Sequence, residues 1–313
     1  MAKARPTVIT LALSLLLGLS LAGCRKGPPS HEGASFGVSA DGKRFAWTTG
    51  AGGQNELWLR DEAGSRRVAS GRFFESPAFD PEGRLIVGVG DGIRNRMSLE
   101  WVRPDGKREL ALAMPDHSQY SPRFATDGRM AFRAAAKPRS RAFGGLQWHE
   151  YDLYVWDRKE PKPRRLSEGK FIRMTAPNWS DDGKRIAFSY LDDSGVSWLR
   201  LVDVESGKTL TETKLINNES MPVFVGERLV IVSDREQMGR YILAFVDPDT
   251  AKIEPLTQSE SYFLEPIWAG GALYALEDVT HKMRFRVTKI DPSTGSQTEV
   301  LAETAFDAPP KPR

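Results

Sequence analysis

The residues able to do nucleophilic or metal chemistry are few: one cysteine, Cys24, and four histidines, His31, His117, His149 and His281. A zinc site takes three or four His, Cys or carboxylate ligands at short spacing. Here no two histidines stand four apart, and none forms a His-x-His pair. His117 beside Asp116 and His149 beside Glu150 are the nearest approach to ligand pairs, and they read as loop residues rather than as a metal site. Asp192, Asp193, Ser194 and Gly195 bring acids together without the ligand alternation of a calcium loop, so they read as a turn. No cofactor is expected, no metal, and no catalytic residue.

Cys24 has a different chemistry. It ends the run Leu21, Ala22, Gly23, Cys24, which follows a stretch from Val8 to Leu21 without charge, itself led by Lys3 and Arg5. A basic start, a short apolar run and small residues before a cut make a secretory signal peptide, and the run is too short for a span of roughly 20 residues. The last four residues resemble the lipobox of bacterial lipoproteins. That resemblance implies a thiol joined to diacylglycerol, cleavage before Cys24, an acylated (palmitate-type) new amino terminus, and a partnership with the membrane through lipid. Arg25 stands where the retention signal of Gram-negative inner membranes typically has aspartate, which favours the outer membrane, facing the periplasm.

Removal of residues 1–23 takes two positive charges and lowers the formal net charge from +3 to +1. A near-neutral chain has no basic field to gather nucleic acid. With Cys24 acylated, stability must come from a packed core, and 290 mature residues suffice for one. Residues 24–34 read as the lipidated cysteine and a flexible tether, and 305–313 as a disordered tail rich in proline.

The elements between are set by a repeat. An aromatic residue precedes a turn rich in Asp and Gly at Phe36, Phe79, Phe124 and Trp179, and less clearly at Phe224 and Trp268, in steps of 43, 45, 55, 45 and 44 residues. Pro77, Pro122, Pro177, Pro222 and Pro266 each stand two residues before the aromatic. Short apolar runs rich in β-branched and aromatic residues follow each turn, which is strand grammar. No segment holds a helical apolar period over a dozen residues. Four strands in about 45 residues is the period of a propeller blade, so an all-β, six-bladed propeller of four-stranded blades is expected over 35–304. The motif from Pro177 to Phe188, with Leu153 to Asp157 in the copy before it, resembles the WD-like repeat of TolB-type propellers. The resemblance covers about 34–304 and implies a periplasmic interaction module, with each inner strand starting near the proline. TolB-type proteins carry a further N-terminal α/β domain, whereas here the tether is read as leading straight into blades.

Function must lie in what differs between copies, and loops on a rigid scaffold are the usual place. The 55-residue step adds about ten residues between Phe132 and Asp152, read as a loop that gathers Arg133, Lys137, Arg139, Arg141, Phe143, Trp148, His149 and Tyr151. Arginine and tryptophan are enriched at binding hot spots. Arg139, Arg141, Phe143, Trp148 and His149 are therefore the candidate contacts for an envelope protein or peptide. The expectation is a non-catalytic binding module; the alternative is a propeller hydrolase or lyase acting on a sugar or lactone at the central channel. If the lipobox reading holds, the Cys24→Ser chain stays uncut before residue 24 and takes up no labelled palmitate. Normal maturation of that variant in the native host counts against it.

Overall fold

The computed structural model describes residues 34–49, 55–90, 96–140, 146–169, 171–216, 219–258, 260–282 and 284–306; over 137–149 it describes the backbone of two strands only. Blade 1 is β1 (Ser35–Val38), β2 (Phe45–Thr49), β3 (Asn55–Asp61) and β4 (Gly64–Arg72), and blade 2 is β5 (Phe74–Phe79), β6 (Leu85–Gly90), β7 (Met97–Val102) and β8 (Arg108–Leu110). Blade 3 is β9 (Ser118–Phe124), β10 (Met130–Ser140), β11 (Leu146–Trp156) and β12 (Arg164–Arg165). In blade 4 the first strand is split into β13 (Arg173–Met174) and β14 (Asn178–Trp179), followed by β15 (Arg185–Leu191), β16 (Ser197–Asp203) and β17 (Thr209–Lys214). Blade 5 is β18 (Ser220–Val225), β19 (Arg228–Ser233), β20 (Ile242–Val246) and β21 (Ile253–Pro255); blade 6 is β22 (Tyr262–Ala269), β23 (Ala272–Asp278), β24 (Phe285–Ile290) and β25 (Gln297–Leu301). Each blade is one antiparallel sheet of strands consecutive in sequence. The first strands touch in a closed circle: β1 with β5, β5 with β9, β9 with β14, β14 with β18, β18 with β22, and β22 with β1. The six-bladed, all-β expectation is met.

The turns form for the reason the sequence suggests. Gly42, Gly83, Gly128 and Gly183 take φ of +71°, +79°, +88° and +68°, a region open to glycine. The neighbouring acid fixes each turn by accepting backbone N–H groups: Asp41 Oδ1 from Lys43 at 3.1 Å, Asp127 Oδ1 from Arg129 at 3.0 Å, Asp182 Oδ1 from Lys184 at 3.0 Å. The arginine after the turn then reaches the next blade. Arg44, Arg129 and Arg185 sit 5.4, 5.1 and 5.2 Å from the ring centroids of Phe79, Trp179 and Phe224. Arg44 and Arg129 also donate to Gly83 O and Gly183 O, each at 2.8 Å. A cation over an aromatic face contributes about 0.5–1 kcal/mol at exposed sites and more when desolvated, so the repeat's basic and aromatic positions stitch one blade to the next.

The prolines do something separate. In blades 2, 3, 5 and 6 the first strand carries one extra residue at the proline, as shown by register shifts between Glu75 and Ala78, between Ser220 and Val223, between Leu264 and Ile267, and opposite Ala131 and Arg133. The residue before each of these prolines has positive φ: Ser76 at 50°, Ser121 at 53°, Met221 at 56° and Glu265 at 48°. In blade 4 the same step at Pro177 divides the strand in two. Blade 1 has no proline there, and its first strand pairs without a shift from Ser35↔Thr48 to Val38↔Phe45. That pairing also corrects the repeat's register. Val38, not Phe36, occupies the aromatic position of blade 1, because Ser39 N bonds Arg44 O as Asp80 N bonds Arg84 O. Phe36 fills the proline position instead and is fully buried.

Among the described residues no sheet mixes strands from the two ends of the chain. Blades 1 and 6 meet through side chains: Phe36, Phe45 and Trp47 pack in one cluster with Phe263, Leu273, Tyr274 and Leu276. Trp47 Nε1 donates to Ala305 O at 2.7 Å and Arg60 Nη1 to Val300 O at 2.7 Å. Burying one such aromatic contributes about 1.5–3 kcal/mol. The approach of blades 1 and 2 is so close that a Cβ on Gly37 would lie 2.2 Å from Pro77 O. Gly37→Ala is therefore expected to cost about 1–3 kcal/mol by overpacking, read as a lower urea midpoint with unchanged slope; an unchanged midpoint refutes so tight an interface.

Candidate functional site

Because each first strand ends at its glycine-containing turn, the six strand ends surround the ring axis at one level. A cavity of about 390 Å³ lies there, walled by all six blades. Its inner wall contains one residue per blade, the one just before the aromatic position: Gly37, Ala78, Arg123, Asn178, Val223 and Ile267. Four of these are small or apolar. Arg123 and Asn178 are polar and stand on adjacent blades. The rim above is made by turn residues, among them Ala40, Pro81, Thr126, Asp181 and Gly270.

Arg123 is held from several sides. Its carbonyl accepts Trp179 Nε1 at 3.0 Å, and its Nη1 donates to Pro122 O at 2.9 Å. Its Nε is buried without a hydrogen-bond partner. Burial pushes the guanidinium below its usual value, the nearby Glu265 carboxylate opposes that shift, and Arg133 adds to it. Arginine nonetheless keeps its proton in proteins, so a half-buried charge persists at the cavity wall. Asn178 Nδ2 donates to Pro222 O at 2.8 Å and to Ala176 O at 3.2 Å, which leaves Oδ1 as the amide's accepting end. At the rim, burial raises the Asp181 carboxyl, while a hydrogen bond from Trp268 works against it.

Arg133 belongs to the layer next to Arg123. Its guanidinium lies 5.3 and 5.2 Å from the ring centroids of Tyr120 and Tyr151, and its Nη1 donates to Met174 O. Ser118 Oγ donates to Tyr120 Oη at 2.7 Å. Burial pushes the Tyr120 phenol far up, so it remains protonated at any physiological pH.

The inserted segment is a hairpin, not a loop. β10 and β11 stay paired from Met130↔Trp156 to Ser140↔Leu146, with Pro138 opposite Trp148, Arg139 opposite Gln147 and Lys137 opposite His149. The alternation of Leu146, Trp148 with Gln147, His149 is the period-two pattern of a strand. Tyr151 and Phe171 exchange two backbone bonds of 2.9 Å at its base. Arg141 and Phe143 lie outside the described residues, as do the side chains of Arg139, Trp148 and His149. Connections between second and third strands leave the blade where first strands begin. The hairpin and the cavity are therefore at opposite ends of the ring axis.

Other chemical candidates resolve into structure. Among the described residues no group of three or more His, Cys, Asp or Glu could hold a metal, and no helix is long and apolar enough to cross a membrane. Asp192 is saturated by Ser194 N, Ser194 Oγ, Val196 N and Trp198 Nε1 at 2.7–2.9 Å, which brings its carboxyl down to about 2, as a turn anchor. The run Gly33 to Gly37 matches Gly-x-Ser-x-Gly in residue type. Ser35, however, is buried in a regular strand and shares a 3.0 Å bond with Thr48 Oγ1, so it is no exposed nucleophile on a strand-to-helix turn. His281 stacks on Tyr262 at 3.9 Å. His117 Nε2 lies 3.3 Å from Tyr154 Oη, and burial lowers its pKa.

A histidine whose folded pKa is depressed costs stability as pH falls below its unfolded value, about 6.5. Urea midpoints between pH 7 and pH 5 should fall less steeply for His117→Phe than for the wild type. Parallel curves would show that His117 does not carry this acid sensitivity.

No family model matches the sequence. The fold defines a class: the protein is a six-bladed β-propeller whose structural neighbours are TolB-type propellers. It is similar to TolB from Acinetobacter baumannii, with 17% identity and a TM-score of 0.59, over 85% of this chain and 65% of that one. It thus spans just under two thirds of that protein's length. It is also similar to a putative TolB from Agrobacterium tumefaciens, with 19% identity and a TM-score of 0.57, over 75% of this chain and 83% of that one. An oligogalacturonate lyase solved in complex with manganese shares the fold at 15% identity and a TM-score of 0.54, over 84% of this chain and 75% of that one.

Proposed function

We propose that this protein is an exported, lipid-anchored propeller of the bacterial cell envelope that binds a protein or peptide and does no chemistry on it. The carrying observation is the axial cavity of about 390 Å³, whose wall mixes proline, glycine and aromatic residues with one arginine. Among its described lining residues Asp181 is the one acid and none is histidine. Such a wall suits an extended peptide segment, since concave, largely apolar sites with a few placed polar groups are the common form of binding pockets. TolB-like neighbours support the same reading through the scaffold.

The anchor fits this arrangement. Diacylglycerol on Cys24 and an acylated amino terminus provide the two or more chains that stable attachment takes. The tether joins β1 at Ser35, the end of the axis away from the cavity rim. Eleven steps of chain from Cys24 to Ser35 reach at most about 40 Å, so the attachment enters the ring at the end of the axis opposite the cavity. Arg139, Arg141, Phe143, Trp148 and His149 on the hairpin are a second proposed contact.

The rival is a hydrolase or lyase acting on a sugar or lactone, as the lyase neighbour shares the fold. Crosslinking of the chain in native-host membranes, followed by identification of what it captures, tests the proposal. An envelope protein captured in stoichiometric amount is expected. Turnover of a sugar or lactone by the purified chain, with no captured protein, overturns the proposal. Arg139→Ala, Arg141→Ala and Trp148→Ala combined should leave the melting curve unchanged and abolish capture; undiminished capture removes the hairpin from the contact.

A further inference from the structure

We infer that the cavity wall is a carboxylate-binding site, with Arg123 as the anion's partner and Asn178 as its neighbour. The inference rests on the peptide-binding reading above and names what the cavity recognises: a peptide that enters carboxylate-first.

Five blades place an uncharged side chain at the axial position before the aromatic; blade 3 places a guanidinium. Nothing in the propeller's architecture asks for it. The equivalent positions are filled by Gly37, Ala78, Asn178, Val223 and Ile267, and the first-strand circle closes through all of them alike. Taking a guanidinium away from water costs several kcal/mol unless its donors are satisfied. Here Nη1 has Pro122 O at 2.9 Å, yet Nε has no acceptor. Buried polar groups are overwhelmingly hydrogen-bonded, so an orphan donor at a cavity wall marks a place for a ligand or water.

The geometry of the unused edge gives the class of ligand. Nε and Nη2 form one side of a planar fork, which matches two oxygens of a carboxylate in a bidentate pair. Burial lowers the Arg123 guanidinium, the Glu265 carboxylate offsets part of that shift, and the Arg133 guanidinium works against it more weakly, so an incoming carboxylate would meet Arg123 through its unused donors and share the site with Glu265. Asn178 is held in place by the two bonds its Nδ2 donates to carbonyls, and its Oδ1 remains an acceptor for a donor on the ligand. Trp179 pins the Arg123 backbone from the next blade, and Trp268 flanks the rim. Charged hydrogen bonds contribute about 1.5–3 kcal/mol net, which is about ten- to 150-fold in affinity.

The test uses the lipidated full chain in detergent and Arg123→Met, which keeps a long aliphatic side chain; Arg123→Gln is the substitute if the methionine variant does not melt cooperatively. The probes are a fluorescent hexapeptide pool with free C-termini, the same pool amidated and free of acids, an amidated pool with one internal Glu per peptide, and oligogalacturonate. Anisotropy should show the free-acid pool binding, the acid-free amidated pool binding at least about tenfold more weakly, and Arg123→Met removing that difference. Equal binding of the internal-Glu pool assigns the carboxylate to a side chain; its failure assigns it to the C-terminus. If all peptide pools bind alike, or if Arg123→Met leaves them unchanged, the carboxylate inference falls while peptide binding stands. If oligogalacturonate alone binds, and does so through Arg123, the carboxylate site stands and the peptide reading falls. If no probe binds, both fall.

Discussion

The open axis depends on proline at the innermost strand edges. A first strand is the edge of its sheet, and an edge presents unpaired N–H and C=O groups to any neighbour. Six such edges converge here. Proline removes a donor and cannot sit inside a ladder, and the extra residue beside it turns the strand away from straight pairing. The positive φ at Ser76, Ser121, Met221 and Glu265 is the local cost, and it is borne in the four blades whose first strands carry the shift. What remains is a circle of strands that touch through side chains and leave a cavity at their ends. Blade 1 keeps a regular strand, and there the space is managed by the missing side chain of Gly37 against Pro77 O.

Around that axis the blades are joined by a second device repeated in the turns. In blades 1, 3 and 4 the acid and glycine that make the turn also aim an arginine at the aromatic ring of the following blade. One short stretch of sequence thus builds a hairpin and the junction to its neighbour. Arg129 shows both roles, bonded to Asp127 within its own turn and lying over Trp179 of the next blade. The coupling explains why aromatic, acid, glycine and base recur together.

Much of the fold was legible because it repeats: turn chemistry at Asp41, Asp127 and Asp182, the proline step, and the number of copies all follow from residue type and spacing. Where residue type and turn geometry disagreed, type misled. Phe36 looks like the blade aromatic, but the turn after it is read from Ser39, which puts Val38 in that place. The insertion was legible as a difference between copies but not as a hairpin, since its alternation is interrupted by Gly144 and Gly145. The axial site was missed for another reason. Its signal is a single column of the repeat, the residue before the aromatic, where Arg123 and Asn178 stand among Ala78, Val223 and Ile267. A search for motifs along the chain passes over a site assembled from one residue in each copy.

The seam between blades 1 and 6 has a mechanical meaning. Among the described residues no shared sheet clasps it, and the ring is held shut there by aromatic packing and by bonds such as those from Trp47 Nε1 and Arg60 Nη1 to backbone carbonyls. β1, the strand that receives the chain from Cys24, lies on that seam. Under the proposed attachment through Cys24, a pull would reach β1 before any other strand and would load the junction of blades 1 and 6, where the two ends of the ring meet through side chains. The closure of the ring would then also be its point of give.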